Sequence, residues 1–208
     1  MTDAAINALV TLLVVIDPIG LAPIFLALTT GTAAAARRRL AVRGVLIAAG
    51  VLVLFALAGD AVLAFVGISM PAFRIAGGML LFLTALDMLF ERRTERREKQ
   101  GHDTEPASDP SVFPLATPLI AGPGAIATII LLMGQHAGSV AGQAMVLGVL
   151  AVVLGLTLGS LLICGLLERA LRRTGVLVVT RLLGMLLAAL SVQFVLDGLA
   201  AFGLAATG

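Results

Sequence analysis

Residues 16–29 read IDPIGLAPIFLALT: a carboxylate, Asp17, followed by Pro18, Gly20 and Pro23, inside a run otherwise apolar enough to cross a bilayer. A carboxylate in hydrocarbon is expensive, and proline removes a backbone donor that lipid cannot replace, so the combination marks a binding site or an ion path. A second cluster, Gly122, Pro123 and Gly124 in PLIAGPGAIAT, interrupts another apolar run. A helix that restarts after a break presents unpaired N–H groups with partial positive charge, which suit an anion. The first break would offer the N–H groups of Gly20 to Ala22, with Pro23 suited to an early helical position. The second would offer those of Gly124 to Ile126, where the absent side chains of Gly122 and Gly124 admit a ligand to the backbone. Two helix starts and one carboxylate suit a zwitterion: its carboxylate on the helix starts, its ammonium on Asp17. Asp17 is also placed to carry a coupling proton.

Gln193 lies at similar depth in the last apolar run and joins the binding candidates. Ser191, Thr84, Thr117 and Thr128 are weaker, because a hydroxyl in a helix can bond its own backbone. Asp60, Asp87 and Asp197 fall nearer span ends, where charge reaches water, and Arg74 stands at the outer end of its span. No nucleophile, metal or nucleotide motif is present, and the histidines, His102 and His136, fall in loops. Cys164 is the single cysteine. The chemistry expected is therefore binding without catalysis, cofactor or metal.

The elements that position these residues are membrane helices. Of 208 residues 60% are hydrophobic and 12% charged, with a mean hydropathy of +1.10, which excludes a soluble globular domain. A net charge of +2 supports no nucleic-acid role. A bilayer core takes about 20 residues per helix. Six runs qualify: roughly 5–28, 44–66, 71–90, 112–134, 143–167 and 181–203. Arginines cluster at 37–43, 92–97 and 169–181, in alternate connections, so these would face the cytoplasm and both termini the periplasm. The connection 91–111 balances its basic residues with acidic ones, as a solvated linker does.

The halves rhyme. MLLFLTALDML at 79–89 aligns with MLLAALSVQFV at 185–195, and Pro18 aligns with Pro123 at nearly the same offset. Three spans per half is an odd number, so the second half enters from the opposite side. The expected fold is all-α: two inverted three-helix repeats, 1–90 and 112–208, joined by the linker 91–111, each opening with a discontinuous helix. Sites of secondary transporters lie where such broken helices meet.

Four segments, DPIGLAPIFLALT (17–29), FVGISMPAFRIAGGMLLFLTALDML (65–89), FPLATPLIAGPGAIAT (113–128) and RLLGMLLAALSVQFVLDGL (181–199), resemble the MarC family of bacterial inner-membrane proteins, within the LysE-type exporter superfamily. The resemblance implies six helices and, for some members, transport of glycine, alanine or similar substrates. The first motif of that family more often reads Asn-Pro-Ile-Gly, so Asp17 replaces an amide with an acid. The expected function is export or exchange of small neutral amino acids across the inner membrane, with proton coupling open. A channel-like pore or a non-transporting scaffold are the alternatives, and glycine-rich helix faces leave a homodimer open.

Overall fold

The computed structural model describes residues 2–90 and 109–203, all of whose regular elements are helices. Helix α1 (Thr2–Ile16) ends at Asp17 and α2 (Pro18–Leu28) begins one residue later. Asp17 takes the left-handed conformation, φ 56° and ψ 67°. The next residue, Pro18, lacks the N–H that would continue the ladder. A turn leads to α3 (Ala34–Val66), whose 33 residues span about 50 Å. A second turn leads to α4 (Met70–Leu89).

After the linker, α5 (Ser111–Ile120) is widened: Ala121 N–H donates to the carbonyl of Ala116, five residues back, at 2.9 Å. Phe113 and Thr117 have extended backbones inside it, because each precedes a proline, Pro114 and Pro118, whose ring disfavours the helical region. Gly122 separates α5 from α6 (Pro123–Gln135), which is set 55° to it. The last two elements are α7 (Val140–Leu162) and α8 (Cys164–Ala201).

Five stretches are long and apolar enough to cross a membrane (3–28, 34–66, 70–89, 140–162 and 174–201), or six if the bent pair α5 and α6 counts as one. Three expectations need correction. Arg37, Arg38, Arg39 and Arg43 lie on the first turns of α3, because arginine is a good helix former and extends the helix beyond its apolar part. The connection after α7 is helical from Cys164 onward. The fourth span is interrupted upstream of Gly122 as well, at Phe113 and Thr117. Most of the expected linker lies outside the described residues; its end, Asp109, accepts from Ser111 Oγ at 2.7 Å and pairs with Arg43.

Packing places the broken helices at the centre. In α6 Gly124, Ala125 and all of Ala127 to Met133 are buried, and 61% of the best apolar window across α1 and α2 is buried, against 28–33% for α3, α4, α7 and the apolar part of α8. The outer helices turn Leu46, Leu54, Leu57, Met185 and Leu186 outward, as lipid-facing surfaces require. At the first break Asp17 and Pro18 are buried, and at the second Gly124 and Ala125 are buried while Pro123 is exposed.

Close approaches at small residues give the helix directions. Gly44 meets Leu115 and Gly59 meets Ile130, so α3 runs with α5 and α6. Ala5, Ile6 and Leu9 share a groove with Met145, Gly148 and Val152, and Ser160 Oγ donates to the Pro18 carbonyl at 2.9 Å, so α7 runs with α1 and α2. Gly78 meets Ser191 and Val195 while Gly184 meets Ala85 and Met88, so α4 and the end of α8 are antiparallel. Glycine at these positions matters because membrane helices associate through packing, with no water to exclude.

Candidate functional site

The first break is built by its own sequence. Asp17 is the N-cap of α2, Pro18 its first residue, and Gly20 N–H donates to Asp17 Oδ1 at 3.0 Å. Aspartate is among the few residues that both cap a helix and tolerate the left-handed conformation. Its side chain is 1% exposed. Gly20 is required sterically: a methyl there would collide with the Asp17 carboxylate.

This geometry corrects two expectations. The start of α2 is occupied by the Asp17 carboxylate and does not present Gly20 to a ligand. Pro23 lies inside α2, in its second turn, and Pro18 takes the first-turn role instead.

The second break is capped differently. Gly122 occupies the N-cap of α6 with no side chain to cap it, Pro123 follows, and Ile126 N–H donates to the Gly122 carbonyl at 3.0 Å. The N–H groups of Gly124 and Ala125 precede that bond and have no acceptor within the helix. Both residues are buried. A methyl on Gly124 would stand 3.5 Å from Val15 and 3.6 Å from Leu81 and from Thr84 Oγ1, so the space beside the start of α6 is bounded by α1 and α4. Val15 is two residues from Asp17 in the chain, so the last turn of α1 forms part of that boundary. A methyl on Gly122 would meet the Pro118 carbonyl oxygen at 2.6 Å, which makes glycine obligatory at the turn from α5.

Thr128, one turn into α6, is fully buried, and its Oγ1 has no hydrogen-bond partner among the described residues. This is unusual here: Thr11, Thr29, Thr84 and Thr157 all bond back to the carbonyl four residues earlier. A buried hydroxyl without a partner costs free energy. Asp17, Pro18 and Gly20 thus form the first break and Gly122, Pro123 and Gly124 the second, with Thr84 beside Gly124 and Thr128 one turn further along α6.

Gln193 is not brought to the breaks. It is exposed on α8 and donates to Asp197 Oδ1 at 2.7 Å, while Ser191, Phe194 and Gly198 take the buried face. Thr117 is held on α5. Ser160 ties α7 to the start of α2, and no motif in the sequence singles it out. Among the described residues no group of histidine, cysteine or carboxylate side chains could hold a metal.

Known proteins support the membrane assignment. Residues 2–202 match the model of the MarC family of integral membrane proteins. A UPF0056 membrane protein of Archaeoglobus fulgidus is 37% identical over 191 residues, covering 91% of this chain and 89% of that protein. One of Aquifex aeolicus is 34% identical over 203 residues, covering 93% and 91%. The UPF0056 inner membrane protein YhgN of Escherichia coli K12 is 35% identical over 198 residues, covering 93% and 95%. No solved structure matches. With a family match over nearly its whole length and relatives of the same size, the chain belongs to the MarC family of integral membrane proteins.

Proposed function

We propose that the protein is a secondary transporter of the inner membrane that exports or exchanges small neutral amino acids, with no enzymatic activity. The observation that carries this reading is the contact of Val15, two residues before the first break, with Gly124 at the second: the first break holds a buried carboxylate, the second an uncapped helix start with an unpartnered hydroxyl one turn away. A free amino acid matches that pair of charges, and a short side chain suits walls made by Val15, Leu81 and Thr84.

The account includes six crossings arranged as an inverted repeat. In its support, α1 with α2, α4 and α7 share one direction, and α3, α5 with α6 and the end of α8 the other. The glycine contacts also repeat: Gly78 against Ser191 and Val195 corresponds to Gly184 against Ala85 and Leu89, each residue shifted by 106. This direction pattern puts both chain ends on the face opposite the arginine-rich one, hence in the periplasm. YhgN's description as an inner membrane protein agrees.

Counterflow of labelled glycine and alanine in proteoliposomes tests the function. Saturable exchange, lost or made insensitive to pH by Asp17→Asn, is the expected result. Ion conductance without saturable uptake would favour a channel and overturn the transporter reading.

A further inference from the structure

At the arginine-rich end of the bundle, the start of α3 and the end of α7 enclose a cavity of about 370 Å³ lined by Ala34, Arg37, Arg38, Leu161 and Leu162. We propose that this cavity is a phosphate-binding site for the headgroup of an anionic phospholipid. It is separate from the helix breaks and does not depend on the transport reading.

Three independent features supply the chemistry. Arg37 donates from one terminal nitrogen to the Thr29 carbonyl at 3.3 Å, while its Nε is buried and has no acceptor among the described residues. A guanidinium fixed at one corner by the Thr29 carbonyl is pre-oriented on the cavity wall for an oxygen ligand, and phosphate matches its planar fork. Arg38, also lining the cavity, is exposed and adds a second positive charge. The N-cap of α3, Ala33, makes no side-chain cap, and Arg37 N–H takes its carbonyl, so the N–H groups of Ala34 to Ala36 have no acceptor within the helix.

Depth and lining distinguish a lipid from free phosphate. The apolar part of α3 begins at Gly44, seven residues after Arg37, which places the guanidinium about 10 Å beyond the hydrocarbon edge, in the headgroup layer. The far wall is apolar: Leu162 is 45% exposed, and Ile163 and Leu166 beside it are also exposed, a surface for glycerol and the upper acyl chain. Arg43, nearer the hydrocarbon, is already paired with Asp109. A general attraction of basic residues to an anionic leaflet would act on every α3 arginine alike, whereas the cavity selects Arg37 and Arg38 over Arg39.

The test is thermal unfolding of the purified full-length protein in maltoside micelles, titrated with phosphatidylglycerol, phosphatidylcholine or inorganic phosphate. Phosphatidylglycerol should stabilise saturably. The half-saturating concentration should rise about fivefold in Arg38→Gln and about thirtyfold in the Arg37→Gln, Arg38→Gln pair, and less than about twofold in Arg39→Gln. Arg38 is exposed, so its single variant separates binding from folding. Equal stabilisation by inorganic phosphate would keep the anion site but assign its ligand to the soluble phase, overturning the lipid assignment. Equal effects of Arg38→Gln and Arg39→Gln, or equal stabilisation by phosphatidylcholine, would overturn the site altogether.

Discussion

Substitution at Asp17 separates what this residue does for the fold from what its charge does. Asp17 caps α2 through Gly20 N–H and holds a left-handed backbone at φ 56°. Asp17→Ala removes the cap, at about 1 kcal/mol, and forces a side-chain-bearing residue without polar compensation into the left-handed region, at about another 1 to 2 kcal/mol. The expected loss is therefore about 2 to 3 kcal/mol. Asp17→Gly loses the carboxylate but meets no penalty at positive φ, and glycine is itself an acceptable N-cap, so its loss should stay within about 1 kcal/mol. Asp17→Asn keeps both the cap and the conformation and should be about as stable as the parent. The assay is reversible unfolding in mixed micelles with increasing dodecyl sulfate. The ordering Asn, then Gly, then Ala is the signature of a left-handed cap. If Asp17→Ala matched Asp17→Asn in stability, the cap would contribute nothing and the reasoning would fail. Exchange should follow a different order, with Asp17→Asn already defective, because charge and not conformation is what it lacks.

Further outcomes follow from single contacts. Gly20→Ala should displace the Asp17 carboxylate; the lost cap and the gained helix propensity, each about 1 kcal/mol, nearly cancel, so stability should barely move while exchange collapses. Gly78→Val should separate α4 from α8, since even a methyl would stand 2.8 Å from the Ser191 carbonyl oxygen, and unfolding measurements should show a loss of about 1 to 3 kcal/mol; Gly155→Ala, inside α7 with open space around it, should lose nothing and gain up to about 1 kcal/mol of helix propensity. Hydrogen bonds from the Ser111 hydroxyl and N–H, with a smaller contribution from Arg43, hold the Asp109 carboxyl below the usual carboxylate range. Its stabilisation of the start of α5 is therefore present above the ordinary carboxylate pKa of about 4 and lost as pH falls through the lowered value, so an acid titration of stability should be shallower in Asp109→Asn. Thr128→Val should raise stability by about 1 kcal/mol, by removing a buried hydroxyl without a partner, and lower exchange by at least about tenfold; a stable variant with normal exchange would show that the hydroxyl has no role in binding.

The membrane character and the positions of both helix breaks were legible because their causes are local: apolar runs of bilayer length, and prolines that cannot donate. The capping of α2 has its signal in the sequence too, since Asp-Pro-x-Gly places a cap, a first-turn proline and the third-residue donor in order, beside the ligand and proton-carrier readings of Asp17. The same conformation would accept asparagine, as both residues tolerate positive φ. The widened α5 had its signal in Pro114 and Pro118, each of which pushes its predecessor out of the helical region. Gln193 was misplaced because depth in a span says nothing about facing; its spacing from Asp197 puts the two on one face, opposite Ser191. The contact of Val15 with Gly124 joins residues more than 100 apart in sequence, which no local pattern carries.

The central claim, that a small amino acid sits between Asp17 and the start of α6, is tested most directly by ligand protection. In proteoliposomes of a Cys164→Ala variant carrying Pro123→Cys, an exposed position beside Gly124, the rate of labelling by a small maleimide is measured with and without alanine. Slower labelling with alanine, abolished by adding Asp17→Asn, is the predicted result. Labelling unaffected by alanine or glycine while exchange proceeds would place the substrate elsewhere and contradict the account.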